Sequence, residues 1–289
     1  MENLRTVLGA PSRNRFPCPQ PSSLERGDIA TLQRENYWCS TKLDGERRIL
    51  IVEGDAVYDV NRSGTRSTLR GVRFPRYARR LTILDCELVG GAYHVIDCAI
   101  CGGIDVHKNR YSERHGYAAK LVDEIIYMED RSHLIQVKPI YPLQRLEEIY
   151  DPATSDGIIF TPENHPITYG TDPKLFKWKP LELHTVDFKL VYHNRVNLER
   201  QWVNYLEPAR DEGYDLFVRS DAANIPVAWT PLDQFAGYSE GDIVECKVDG
   251  AGRWVPLRKR ADKPFPNSLY VYKRTLVCIR ENIQLCELH

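Results

Sequence analysis

Short runs of β-branched and aromatic residues, closed off by glycine pairs and Gly-Asp or Asp-Gly turns, fill most of this chain. A strand must share its backbone groups with neighbours and bury a face, so the pattern commits the chain to antiparallel sheets with few helices. Residues 37–42, 47–53 and 56–60 are such runs, the last two meeting at Gly54-Asp55 as a hairpin would. Residues 81–89 and 93–100 form a second pair across Gly90-Gly91, and 134–140 and 157–161 are further strands. Residues 111–128 are the predicted helix, with Tyr117, Leu121, Ile125 and Met128 at helical spacing. The composition changes after Pro180, where 184–192, 242–248 and 253–260 are short strands and 267–282 a closing helix. Residues 1–36 are turn-rich and predicted to lie irregularly over the first domain.

At 289 residues and 42% hydrophobic content the chain can bury two ordinary cores. The expected division is an α+β domain over 1–182 and a small five-stranded barrel of the OB type over 183–289, whose last helix can pack back on the first domain. No apolar run approaches the roughly 20 residues that span a bilayer, and the N-terminus has no apolar signal core, so no membrane partner is expected. Asn61-Arg62-Ser63 fits a glycosylation acceptor, a reading discarded for want of a secretory route. Eight scattered cysteines fit reduced thiols inside a cell, and the lone pair Cys98 and Cys101 reads as buried strand cysteines, since no second ligand pair stands nearby. Net charge is −1, yet between Val60 and Leu84 stand seven arginines and no acid. That stretch is either a face for RNA or a nucleotide, or a solvated face packing on carboxylates.

Chemistry concentrates on Thr41-Lys42-Leu43-Asp44-Gly45-Glu46-Arg47-Arg48. A lysine amine that attacks phosphorus must shed its proton near neutral pH, which calls for cationic neighbours or a metal. Taken alone, the Asp-Gly is equally a hairpin turn. In Lys177-Trp178-Lys179 the lysines share one face of a strand and would repel unless an anion such as a triphosphate lay between them; the alternative is an edge strand with solvated lysines over a core tryptophan. Asp85 and Glu87 share a face by the same rule, as do Arg258 and Arg260. Carboxylates beside phosphates need a cation, so Glu87 and Asp156 imply Mg²⁺ or Mn²⁺, ribose hydroxyls, or both, although Asp156-Gly157 by itself is also a plain turn.

In order along the chain, Lys42 is followed by Leu84-Asp85-Cys86-Glu87-Leu88-Val89, Tyr93-His94-Val95-Ile96-Asp97, Ser155-Asp156-Gly157-Ile158-Ile159-Phe160 and Leu175-Phe176-Lys177-Trp178-Lys179-Pro180. This series resembles the covalent nucleotidyltransferases, the superfamily of mRNA capping guanylyltransferases and ATP-dependent polynucleotide ligases. Three further segments are similar to the capping branch: Arg15-Phe16-Pro17-Cys18-Pro19-Gln20-Pro21-Ser22-Ser23-Leu24, Thr185-Val186-Asp187-Phe188, and the run from Ile243-Val244-Glu245-Cys246 through Arg258, Arg260, Asp262 and Lys263 to Pro266-Asn267-Ser268.

The resemblance implies a nucleotidyltransferase domain followed by an OB-fold. It implies that Lys42 carries GMP taken from GTP and passes it to the 5′-diphosphate end of RNA, releasing pyrophosphate. Arg47 and Arg62 would bind ribose and phosphate, and Glu87 ribose or metal. Asp156 would support metal or the nucleophile, Lys177 and Lys179 would hold the α-phosphate, and Lys138 would reach guanine O6. From the barrel, Asp187, Arg260 and Lys263 would meet the β- and γ-phosphates. A separate RNA triphosphatase and cap methyltransferase are the implied partners, in the nucleus or, for a virus, the cytoplasm. The chain departs from the family at Cys86, where Gly is usual, at Asn61, where Asp is usual, and at Ile96, near a position that stacks an aromatic on guanine; Ile96 or Tyr93 would then give apolar packing instead. A ligase working through lysyl-AMP is the alternative enzyme, and a nucleotide-binding module without catalysis the alternative of another class.

Overall fold

The computed structural model describes residues 17–129, 131–193, 212–221 and 223–288. Arg15 and Phe16, which open the N-terminal family-like segment, lie outside the described residues. Two compact units are present: the chain up to Lys179 together with Gln284–His289, and Pro180–Ile283. The expected break at 182/183 falls inside the short turn Leu181–Leu183.

Two large sheets and a two-stranded ribbon build the first unit. One runs in the order Pro19–Ser23, Gly170–Trp178, Ile158–Pro162, Tyr37–Thr41 and Tyr141–Pro142; the other runs Leu134–Val137, Ala92–Cys101, Thr82–Val89, Glu46–Glu53, Ala56–Val60 and Arg66–Thr68, with Ile104–Asp105 attached to Ala92–Cys101. Pairing is antiparallel except at Pro19–Ser23 on Gly170–Trp178 and Leu134–Val137 on Ala92–Cys101. The hairpin turn after Val89 places Gly90 and Gly91 at φ of 55° and 83°, both in the left-handed region that glycine enters without strain.

Strand Glu46–Glu53 explains why these runs lack strict alternation. Leu50 and Val52 enter a core with Leu84, Val95 and Leu121, while Ile49 and Ile51 enter another with Val60 and Ile83. A strand covered on both sides reads as a continuous apolar run.

The helix is shorter than its sequence pattern. It spans Tyr111–Asp123 and buries Tyr111, Arg114, Ala118 and Leu121, leaving Tyr117 at 38% exposure. Met128 is 48% exposed, and Ile126–Tyr127 is a strand paired with Val72–Arg73. Of the predicted stripe, Leu121 and Ile125 pack on the core while Tyr117 and Met128 do not; Arg114 occupies a core position instead, and an apolar-only template passes over a buried charge. The strand expected to reach residue 140 ends at Val137, because Pro139 has no N–H to extend the ladder.

The arginine stretch divides between structural and exposed roles. Arg79 pairs with Asp55 at 2.6 Å and donates to Phe74 O, and Arg66 lies over the Tyr58 ring. Arg70, Arg73, Arg76 and Arg80 are exposed. All eight cysteines are free, and all but Cys286 are buried.

In the second unit the strand order is Asn224–Pro231, Gly213–Arg219, Thr185–His193, Ile243–Val248 and Trp254–Lys259, antiparallel throughout, an OB-like arrangement around Phe188, Leu216, Phe235 and Val244. Helix Leu269–Glu281 packs Leu269, Tyr272, Leu276 and Ile279 onto this core. It is the segment beyond it, and not the helix, that belongs with the first unit: Asn282, at φ 41°, caps the helix in the left-handed conformation and turns the chain, and Glu287 pairs with Arg26 at 2.7 Å.

Candidate active site

Lys42 stands where the chain crosses from one sheet to the other, since Tyr37–Thr41 and Glu46–Glu53 belong to different sheets. Asp44-Gly45 therefore closes no hairpin. Gly45 is demanded by close approach, because a Cβ there would lie 2.4 Å from Leu88 O. Two backbone bonds clamp the lysine to the Asp156-Gly157 turn: Lys42 N donates to Gly157 O at 2.7 Å and Asp156 N to Lys42 O at 3.1 Å. Gly157 has φ +128°, and a Cβ would fall 2.1 Å from Trp178 O, so only glycine lets the turn sit against the strand that delivers Lys179.

That turn aims the Asp156 carboxylate at two ammonium groups. It accepts a short hydrogen bond from Lys42 Nζ and another from Lys179 Nζ at 2.9 Å. Burial pushes the Asp156 carboxyl up, but the two lysines more than offset it and hold it below the usual carboxylate range. A carboxylate of the protein thus stands between Lys42 and Lys179.

A cavity of about 230 Å³ opens beside Lys42, lined from both sheets of the first unit. Arg47 grips Asp85 bidentately, Nε to Oδ1 at 2.5 Å and Nη2 to Oδ2 at 2.6 Å, and its Nη1 lies 4.0 Å from Glu87. Asp85 and Glu87 both face the cavity, and Cys86 between them is fully buried in the core on the other side, where a small apolar side chain fits. Burial raises the Glu87 carboxyl, with Arg47 pulling the other way. Lys138 is 3% exposed and still lines the cavity; burial, then the Arg47 charge, pushes its ammonium down to about 7, against the attraction of Glu87. Ile96 and Ile159 offer apolar surface from the two sheets, and Lys177 and Arg62 complete the lining. Arg62 sits on a loop ordered by Asn61, whose Oδ1 accepts from Thr65 N at 2.9 Å, a bond an aspartate would make equally well.

The comparisons with known proteins give the chain a family. Residues 2–181 match the family model described as "mRNA capping enzyme, catalytic domain", and 183–289 match "mRNA capping enzyme, C-terminal domain". The chain belongs to the mRNA capping enzyme family. It is 27% identical to the mRNA-capping enzyme subunit alpha of Schizosaccharomyces pombe, over 96% of this chain and 79% of that one, and 25% identical to the Saccharomyces cerevisiae subunit alpha, over 98% and 80%. Among solved structures, "mycobacterial DNA ligase D complexed with ATP and MES" superposes with a TM-score of 0.48 at 11% identity, over 85% of this chain and 95% of that one.

Within this family member, the residues singled out by sequence fall into two groups. Lys42, Arg47, Arg62, Glu87, Ile96, Lys138 and Lys177 line one cavity, and Asp156 and Lys179 join it through Lys42. Asp187, Arg260 and Lys263 form a cluster of their own in the second unit: Arg260 Nη1 reaches Asp187 Oδ1 at 3.1 Å and Lys263 Nζ bonds Asp187 Oδ2. Tyr93, considered for base packing, does not line the cavity; it is buried in the core beneath.

Sequence reasoning missed the far wall. Arg114, buried at 2%, holds Asp97 through two bonds of 2.8 and 2.9 Å and donates to Asn109 O and His165 O, while Tyr111 Oη donates to Ile96 O at 3.2 Å. The signal was present, since Tyr111, Arg114, Ala118 and Leu121 recur at helical spacing with a charge among them.

Among the described residues no three His, Cys, Asp or Glu side chains gather as a ready-made metal cage. Both Asp156 oxygens are taken by ammonium groups, whereas Glu87 is a part-buried carboxylate whose nearest cation stands off at 4.0 Å. The donor set fits a hard cation that arrives with phosphates and meets one or two carboxylates, the ordinary habit of Mg²⁺.

Proposed function

We propose that this chain is an mRNA guanylyltransferase that forms lysyl-GMP on Lys42 and transfers the GMP to the 5′-diphosphate end of RNA. The observation that carries the reading is the clamp on Lys42: two backbone bonds and an Asp156 shared with Lys179 fix one amine at the rim of a cavity lined by Arg47, Lys138 and Lys177.

The guanine lies between Ile96 and Ile159, its O6 accepting from Lys138. Arg47, Arg62 and Glu87 address ribose and phosphate. Lys42 Nζ attacks the α-phosphorus in line; the N–P bond forms as the bond to the bridging oxygen breaks, and pyrophosphate departs with the electron pair. Lys177 and Lys179 stabilise the charge on the α-phosphoryl oxygens, and Asp156 positions the nucleophile. Asp187, Arg260 and Lys263 of the second unit meet the outer phosphates. Mg²⁺ or Mn²⁺ held by Glu87 and the phosphates would neutralise leaving-group charge. A terminal oxygen of the RNA diphosphate then attacks the same phosphorus, and the N–P bond breaks to free Lys42. A separate triphosphatase supplies the diphosphate end, a separate methyltransferase completes the cap, and the reaction takes place inside the cell.

The test is incubation with α-labelled GTP or ATP and a divalent metal, followed by 5′-diphosphate RNA. An acid-labile, alkali-stable label from GTP that moves to RNA supports the reading; labelling by ATP alone overturns it in favour of a ligase.

A further inference from the structure

The second unit carries an exposed aromatic to which the reading above gives no part in lysyl-GMP formation. Phe265 is 57% exposed and stands between Pro264 and Pro266. A residue before proline is held extended, and the loop is fastened on both sides: Lys263 N donates to Arg260 O at 3.1 Å, Asn267 N to Asp187 O at 2.8 Å, and Arg219 N to Asn267 O at 2.9 Å. The ring is thus presented to solvent on a rigid loop, so a ligand stacking on it loses little conformational entropy. The Arg219 guanidinium carbon lies 5.4 Å from the ring centroid.

Beside the ring opens a groove of about 350 Å³, lined by Lys189, Lys259, Arg260 and Lys263. The acid on its wall, Asp242, is taken by Lys259 at 2.6 Å, and Asp187 holds Arg260 and Lys263. Lys189 has no acidic partner among the described residues.

We propose that this groove binds a nucleotide of the RNA acceptor strand, its base stacked on Phe265 and its phosphate on Lys189. The inference rests on the guanylyltransferase reading for the identity of the acceptor. A basic groove beside an exposed aromatic is the arrangement that holds single-stranded nucleic acid. Stacking tolerates every base, which suits an enzyme that must accept transcripts of any sequence. The lining is mixed, with Ile243, Ala261, Pro264 and Pro266 beside the cations, and Lys189 is the cation there that no described acid holds, which leaves it for a phosphate.

The experiment uses the full chain and a short single-stranded 5′-diphosphate RNA. It measures RNA Kd by fluorescence anisotropy, the KM for RNA in GMP transfer, and lysyl-GMP formation without RNA. Phe265→Ala is expected to raise Kd and KM roughly tenfold, the order of one lost base stack, with lysyl-GMP formation unchanged. Phe265→Trp restores both, and Phe265→Leu, which keeps apolar area without a π face, does not. Lys189→Ala is expected to flatten the slope of log K against log salt by about 0.7, one phosphate contact on a single strand. Unchanged Kd and KM in Phe265→Ala, or rescue by Leu, overturns the proposal. So does a loss of lysyl-GMP formation that parallels the loss of transfer. Failure of the parent protein to form lysyl-GMP at all would instead overturn the functional reading, and the RNA Kd series would still decide whether the groove binds RNA.

Discussion

Replacing Lys138 by methionine should stabilise the first unit, by an amount that shrinks as pH rises. Lys138 is almost fully buried, faces the Arg47 guanidinium, and titrates near 7 where a free lysine titrates at 10.5. Between those values the unfolded chain binds a proton that the folded chain does not, so folding stability rises with pH across that window, and below about 7 the full cost of the buried ammonium is present. The gap of about 3.5 units corresponds to about 5 kcal/mol near pH 6, falling to about 2 kcal/mol near pH 9. Methionine is similar in length, fills the same space and carries no charge. Urea unfolding of both proteins, followed through a probe in the first unit, should therefore give a gain that falls by about 3 kcal/mol between those two pH values. A gain independent of pH, or a loss, would refute the account of Lys138 as a charge held against its solvation. Under the proposed function the same substitution should also weaken GTP binding, which an equilibrium binding assay would check.

Gly157→Ala should cost about 1–3 kcal/mol of stability, because its Cβ meets the Trp178 carbonyl; it should also abolish nucleotide labelling by moving Asp156 away from Lys42, and urea midpoints beside a labelling gel read both effects. Arg114→Ala should cost about 3–5 kcal/mol by leaving Asp97 buried and uncompensated, and Arg114→Lys should not restore it, since an ammonium cannot make the bidentate contact; thermal unfolding checks each. Asp156→Asn should destabilise the protein at neutral pH. The wild-type carboxyl is depressed, so its contribution is present above the unfolded carboxylate value and lost as acid protonates it, and the difference between the two proteins should shrink steadily in unfolding curves taken at successively lower pH below that value.

The residues proposed to touch substrate were legible because chemistry restricts them. A nucleophilic lysine, paired lysines and a Glu after an Asp are rare enough in order to be recognised. The wall that supports them was harder to read, since its helical spacing includes a charge. Arg114 looks polar in sequence, and only the partner brought by a distant strand, Asp97, makes it a core residue. The Lys42 turn carried the wrong local signal: Asp44-Gly45 reads as a hairpin, yet the strands on its two sides enter different sheets, and the glycine answers to the Leu88 carbonyl. The helix lost its last turn for a comparable reason, because Ile126 and Tyr127 gain a strand partner at Val72–Arg73. Local pattern read most element types but passed over strand Pro19–Ser23 and helix Ile29–Arg34 inside the segment expected to be irregular, and it set element ends poorly, since ends are decided by partners far along the chain.

The central claim is that one amine, Lys42, carries the nucleotide. Its most direct test is peptide mass mapping of the protein after incubation with GTP and a divalent metal. The account predicts a single GMP adduct, on the peptide containing Lys42, discharged by added pyrophosphate and absent in Lys42→Ala; an adduct on any other residue, or one that persists in Lys42→Ala, would contradict it.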